Sequence, residues 1–181
     1  MQLRSEIQIA SMIKAMKDVV IPAVDGDNRL AVEQAQLVVG MLSLMAHQLP
    51  LQFRFDRDEL QRLLAYTQGL TELCSADRAL GEAVRQLAGC RAAGAAALER
   101  CAGDPAQLNA AIRELRQAAG ALVSAAADSS DEAAYRQVES AVLELSKEQL
   151  LRDRSLVLPQ GWEPDPTAVP PIETLLDAGT G

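Results

Sequence analysis

The sequence predicts an all-α protein: a helical bundle of five to six helices over residues 1–158, followed by a Pro-rich C-terminal tail over 159–181. Three observations carry this reading. Aromatic residues make up only 3% of the 181 residues, and β-branched residues thin out after the first fifty, so a sheet would lack its usual building blocks. Apolar residues recur at three- and four-residue spacing through most of the chain. Helix-start signals punctuate it at Asp56-x-x-Glu59, Gly103-Asp104-Pro105 and Ser129-x-x-Glu132.

The first helix is expected from about Ser5 to Val20, with Ile9, Ile13, Met16 and Val20 along one side and Lys14, Lys17 and Asp18 on the other. Pro22 is expected to end it. Asp25-Gly26-Asp27-Asn28 is a turn, and Asn28 is placed to cap the next helix. That helix, Leu30 to Leu49, is the most apolar stretch of the chain. Ala31, Ala35, Val38, Leu42, Met45 and Leu49 form one stripe, with Leu37, Met41 and Leu44 beside it. Only Glu33, Gln36, Gly40, Ser43 and His47 remain as a polar strip, so the helix is expected to be central, with Val38, Leu42 and Met45 buried.

After Pro50, the alternation of Leu51, Phe53 and Phe55 with Gln52 and Arg54 reads as a short extended link. The next helix carries Leu60, Leu63, Thr67, Leu70 and Cys74 in one seam, and a change of phase puts a break between Gly69 and Asp77. Leu80, Ala83, Leu87, Cys90, Gly94, Ala97 and Cys101 form the following seam. Leu108, Ile112, Leu115, Ala119 and Leu122 then line a helix opened by Asp104 and Pro105, and Val138, Ala141, Val142 and Leu145 face inward on the last long one. These last two are expected to pair as a hairpin. The Ala-rich stretch from Ala88 to Ala127 permits close helix contact; a surface hairpin is the plainer alternative. Five prolines from Pro159 to Pro171 exclude regular structure until a last turn at Ile172 to Asp177. Trp162, the single tryptophan, is expected to plug a groove of its own bundle, in preference to reaching a partner.

Composition narrows the function classes. A net charge of −8 and a pI near 4.7 argue against nucleic-acid binding, which needs clustered Lys and Arg to displace counterions. Cys74, Cys90 and Cys101 are odd in number and widely spaced, which suggests neither a disulfide framework nor a zinc site. Glu6 interrupts the opening apolar residues, and the longest run without strongly polar residues, Leu37 to Ala46, covers about half of the ~20 residues needed to span a bilayer. The expectation is a soluble cytoplasmic protein with no membrane role.

No catalytic constellation, metal set or cofactor loop is legible. With His47 as the only imidazole, di-iron Glu-x-x-His pairs and Ser or Cys nucleophiles with a histidine base are excluded. Ala46-His47-Gln48-Leu49 has the start of a histidine-phosphotransfer motif, but Pro50 and Leu51 stand where Lys and Gly belong. His47 therefore reads first as a group near a helix C-terminus, where a cation is favoured. Arg54, Asp56, Arg57 and Asp58 read as a solvated helix start more than as a site. Glu33, Ser43 and His47 are the only polar candidates for a ligand site on the apolar helix, and Met12, Met16 and Met41, with Trp162, the candidates for an interface.

The stretch Val19-Val20-Ile21-Pro22-Ala23-Val24-Asp25, followed from Leu30 by the long apolar helix, resembles a family of small all-helical bacterial proteins. Their genes lie beside aminoglycoside-phosphotransferase-like kinases and acyl-CoA dehydrogenases. The resemblance covers residues 7 to 65 and implies an accessory subunit of the kinase, with no catalytic residue to carry over. The function expected is thus a non-enzymatic helical interaction protein, homodimeric through its first two helices, with a kinase-like partner and no cofactor. The alternative is a bundle that binds a small apolar or acyl ligand between helices.

Overall fold

The computed structural model describes residues 5–74, 78–100, 105–128 and 131–177. Helices α1 Ser5–Ala15, α2 Ile21–Ala23, α3 Arg29–Gln48, α4 Gln52–Cys74, α5 Gly81–Glu99, α6 Pro105–Ala127, α7 Glu132–Val157 and α8 Ile172–Asp177 account for most of them. No strand occurs among the described residues, so the all-α expectation holds while the helices are more numerous than expected. In place of one bundle and a tail, the chain divides into two compact units. One comprises Met1–Gln52 with Asp153–Pro171, the other Phe53–Arg152 with Ile172–Gly181.

In the first unit α1 packs on α3, with Ile9 buried on the former and Ala35 and Val39 on the latter. Pro22 does not end the first helix. A π-helical segment, Met16–Val20, follows α1, and the Ile21 N–H donates to the Met16 carbonyl. The widened turn makes room for a ring that has no N–H and would clash with the carbonyl four residues back, so helical structure runs on to Ala23. Asn28 caps α3 as expected, its side chain accepting from the Ala31 N–H at 3.2 Å.

The expected burial of α3 is overturned. Val38 is 45% and Met45 51% exposed, and Leu42 is half-buried. The buried line runs instead through Ala35 and Val39, flanked by half-buried Ala31, Val32, Leu42 and Ala46. α3 is apolar over more than half its circumference, so periodicity did not decide which side faces α1.

Residues after α7 fold back within this unit. A 3-10 turn, Leu158–Gln160, packs against α3 and closes with Gly161 in the left-handed region at φ 72, a conformation that favours glycine. Ser155 Oγ donates to the Pro170 carbonyl at 2.6 Å, and Val169 is buried. A second 3-10 turn, Pro166–Ala168, is capped by Asp165, so the prolines open short turns and do not exclude all regular structure. Trp162 is 68% exposed, which corrects its expected role as a plug.

The second unit is built on α4 to α7. Leu60, Leu63, Thr67, Leu70 and Cys74 of α4 are all buried, as are Leu108, Ile112, Leu115, Ala119 and Leu122 of α6. Leu80, Leu87, Gly94 and Ala97 are buried on the α5 side; Cys101 lies outside the described residues. Val138 is buried on α7, and Ala141, Val142 and Leu145 pack partly buried against the same core. The closest helix pair is α5 with α6, where α6 with α7 was expected. Gly94 explains the approach: a Cβ there would lie 2.9 Å from Leu115 Cδ1 and 3.3 Å from Leu64 Cδ2.

Two local expectations are corrected here. Leu51 to Phe55 is not an extended link, because α4 begins at Gln52, with Phe55 buried and Phe53 exposed. The cap of α7 is Asp131, whose carboxylate accepts from the Ala134 N–H at 2.9 Å; Ser129 and Asp104 lie outside the described residues.

Candidate functional site

The residues singled out for ligand binding do not form a pocket. Glu33, Ser43 and His47 are all exposed on α3, with Glu33 about 15 Å of helix rise from Ser43. Ser43 Oγ donates to the Val39 carbonyl at 2.8 Å. No group of three or more metal-ligating side chains occurs among the described residues.

Two other features stand out. The first is the free face of α1 and α3. Met12, Met41 and Met45 are exposed together with Leu37 and Val38, and Met16 is half-buried in the π-helical segment. Only Arg29 and Glu33 are charged along α3. By length and composition α3 also meets the minimum for a membrane span, yet only 11% of its most apolar window is buried.

The second is a chain of ion pairs in the four-helix unit, where the sequence had suggested a solvated helix start. Asp56, Asp58 and Glu59 are buried within α4, not at its N-terminus. Asp58 pairs with Arg152, whose side chain is 2% exposed and whose guanidinium lies 4.7 Å from the centre of the Phe55 ring. Arg62 Nε donates to the same carboxylate at 3.0 Å and Arg62 Nη1 to Glu148 at 2.9 Å. Burial acts to lower the Arg62 pKa, but Asp58 and Glu148 outweigh it and hold it above its ordinary value. Glu59 accepts from Arg116 Nε at 2.8 Å, and Asp56 from Asn109 Nδ2 at 3.0 Å. Apart from Arg62, four residues from Asp58, the partners are 53 to 94 residues away in sequence, as Asp56 with Asn109 and Asp58 with Arg152 show, so no local pattern could have revealed those.

The two antiparallel helices α4 and α7, joined by Asp58 with Arg152 and Arg62 with Glu148, border an open groove of about 760 Å³. Ala65, Gly69, Leu73, Ala141 and Leu145 line it, and Glu72, Glu144 and Glu148 supply its carboxylates. Tyr66 stands in it with its pKa raised, first by burial and then by the charge of Cys74. The groove's lining offers apolar contact, fixed charge and shape.

Comparison with protein-family models, with curated proteins and with solved structures finds no match for this chain.

Proposed function

We propose that this protein is a non-enzymatic helical interaction protein that self-associates through the exposed face of α1 and α3. The observation that carries the reading is the exposure of Met12, Met41 and Met45 beside Leu37 and Val38 on one packed helix pair. A face of this kind marks an association surface, since monomers seldom expose contiguous apolar patches beyond a few hundred Å². α3, about 30 Å long, and α1, about 16 Å, each about 10 Å across, present about 460 Å², the larger part of one side of a standard interface, ~800 Å². With charge confined to Arg29 and Glu33, a second copy meets little electrostatic opposition along α3. Methionine side chains repack easily against their own kind, and an isologous dimer is the simplest closed assembly. The similarity of residues 7 to 65 to small helical accessory proteins makes a kinase-like subunit the first heterologous partner to test once the dimer is formed.

The test is mass in solution by light scattering at micromolar concentration. The wild-type chain is expected at twice its 19.4 kDa, and Met41→Glu at the single-chain mass, because a carboxylate would be buried without a partner. A monomeric wild type rejects self-association. Flotation with phospholipid vesicles, lost in Met41→Glu, would reassign the same face to a bilayer.

A further inference from the structure

We infer that the groove between α4 and α7 is a docking site for a basic amphipathic helix of another protein. This site is separate from the α1 and α3 face, since its lining residues all belong to the four-helix unit.

The shape favours a helix. From Arg62 to Leu73 the groove follows eleven residue steps of α4, or about 16 Å, which matches three helical turns. Its floor is built from small residues: Ala65 and Gly69 from α4 and Ala141 from α7, with Leu73 and Leu145 beside them. Small side chains along two antiparallel helices leave room for a third cylinder to lie close to both. At Gly69 an added Cβ would meet nothing within 4 Å, so the groove has space there.

Charge selects the occupant. Glu72 stands on the α4 side and Glu144 and Glu148 on the α7 side, so carboxylates flank the apolar floor on both edges. The one cation in the lining is Arg62, bound to Asp58 and Glu148. Lys147 donates to Glu144 at 2.7 Å, an exposed pair on α7 with which a docked cation competes at little cost. A helix with an apolar stripe at i, i+3/i+4 and i+7 and Lys or Arg on both shoulders complements this pattern, whereas a second copy of a chain with net charge −8 does not.

The experiment uses the full-length protein and fluorescein-labelled 14-residue peptides with a Leu/Ala stripe, one carrying Lys on both shoulders and one carrying Glu. Fluorescence anisotropy is expected to show the Lys peptide bound at least about tenfold more tightly than the Glu peptide, and weakened several-fold in 0.5 M salt. Gly69→Leu fills the groove while improving helix propensity, and Glu144→Lys reverses one edge; each is expected to weaken binding about tenfold or more. Met41→Glu is expected to leave it unchanged, which separates this site from the self-association face. Equal affinity for the Glu peptide, insensitivity to Gly69→Leu, or no binding of the Lys peptide at about 0.5 mM would each overturn the inference. Loss of binding in Met41→Glu would also overturn it, by placing the peptide on α3.

Discussion

Removing the Asp58 carboxylate is expected to be among the most damaging single changes in the four-helix unit. Asp58→Ala removes the carboxylate that pairs with Arg152, whose side chain is only 2% exposed. A buried pair broken on one side costs about 3 to 5 kcal/mol, most of it the penalty for the charge left behind. The other partner adds little, because Arg62 keeps Glu148 at 2.9 Å and is 28% exposed, so its loss is on the order of 0 to 1 kcal/mol. For a unit of about a hundred residues, 3 to 5 kcal/mol corresponds to a fall in Tm of roughly 12 to 40 °C. Urea unfolding followed by far-UV circular dichroism measures the change directly, provided the slope is unaltered. The double variant Asp58→Leu with Arg152→Met removes both charges and keeps a sulfur near Phe55, so it is expected to recover most of the loss. A cost below about 1 kcal/mol for Asp58→Ala, or a double variant no better than the sum of its parts, would refute the assignment of a buried, coupled pair.

Two further outcomes follow from packing and pH. Gly120→Ala meets open space and should stabilise by up to about 1 kcal/mol, whereas Gly94→Ala drives a Cβ against Leu115 and Leu64 in a closed core. Overpacking of about 1 to 3 kcal/mol then outweighs the helix gain, so denaturant midpoints should move in opposite directions for the two variants. The turn after α7 should loosen in acid. Arg154 donates to both Glu163 oxygens, at 2.9 and 2.7 Å, and holds the Glu163 pKa down; Thr167 does the same for Asp165 through its hydroxyl and its N–H. Groups with lowered folded pKa contribute stability above their unfolded values and lose it as pH falls through the folded ones, so the change begins below about pH 4. Trp162, next to Glu163, reports it by fluorescence anisotropy, and Glu163→Gln should shrink the change and move its onset to lower pH, leaving Asp165 as the titrating group.

The seams of α4, α5 and α6 were legible because each is apolar on one side only, which leaves one phase that buries it. α3 lacks that contrast, and its two adjacent stripes support several orientations; the burial of Ala35 and Val39 instead of Val38 and Met45 is decided by α1, not by α3 itself. Leu51 to Phe55 was misread for a related reason. Positions 51 and 55 satisfy both a period of two and a spacing of four, and only Phe53 separates a strand from a helix. Both features of the candidate site were hidden differently. Acidic residues in α4 look like a helix start until Arg116 and Arg152 are brought against them, and the groove is bordered by residues of α4 and α7 far apart in sequence.

The division of the chain also orders events during synthesis. The first unit needs Asp153–Pro171 as well as Met1–Gln52, so α3 is synthesised 123 residue positions, 171 minus 48, before the last of its unit is made. At about 5 to 20 residues per second that is a delay on the order of ten seconds. Within the other unit the contact of α5 with α6 is local and forms early, while the pairs of α4 with α7, 86 and 94 residues apart, close once α7 is made. The most apolar helix of the protein is thus the first long one synthesised and among the last to gain its full complement of contacts. A nascent chain of this kind gives chaperones a single, predictable segment to hold, Arg29 to Gln48.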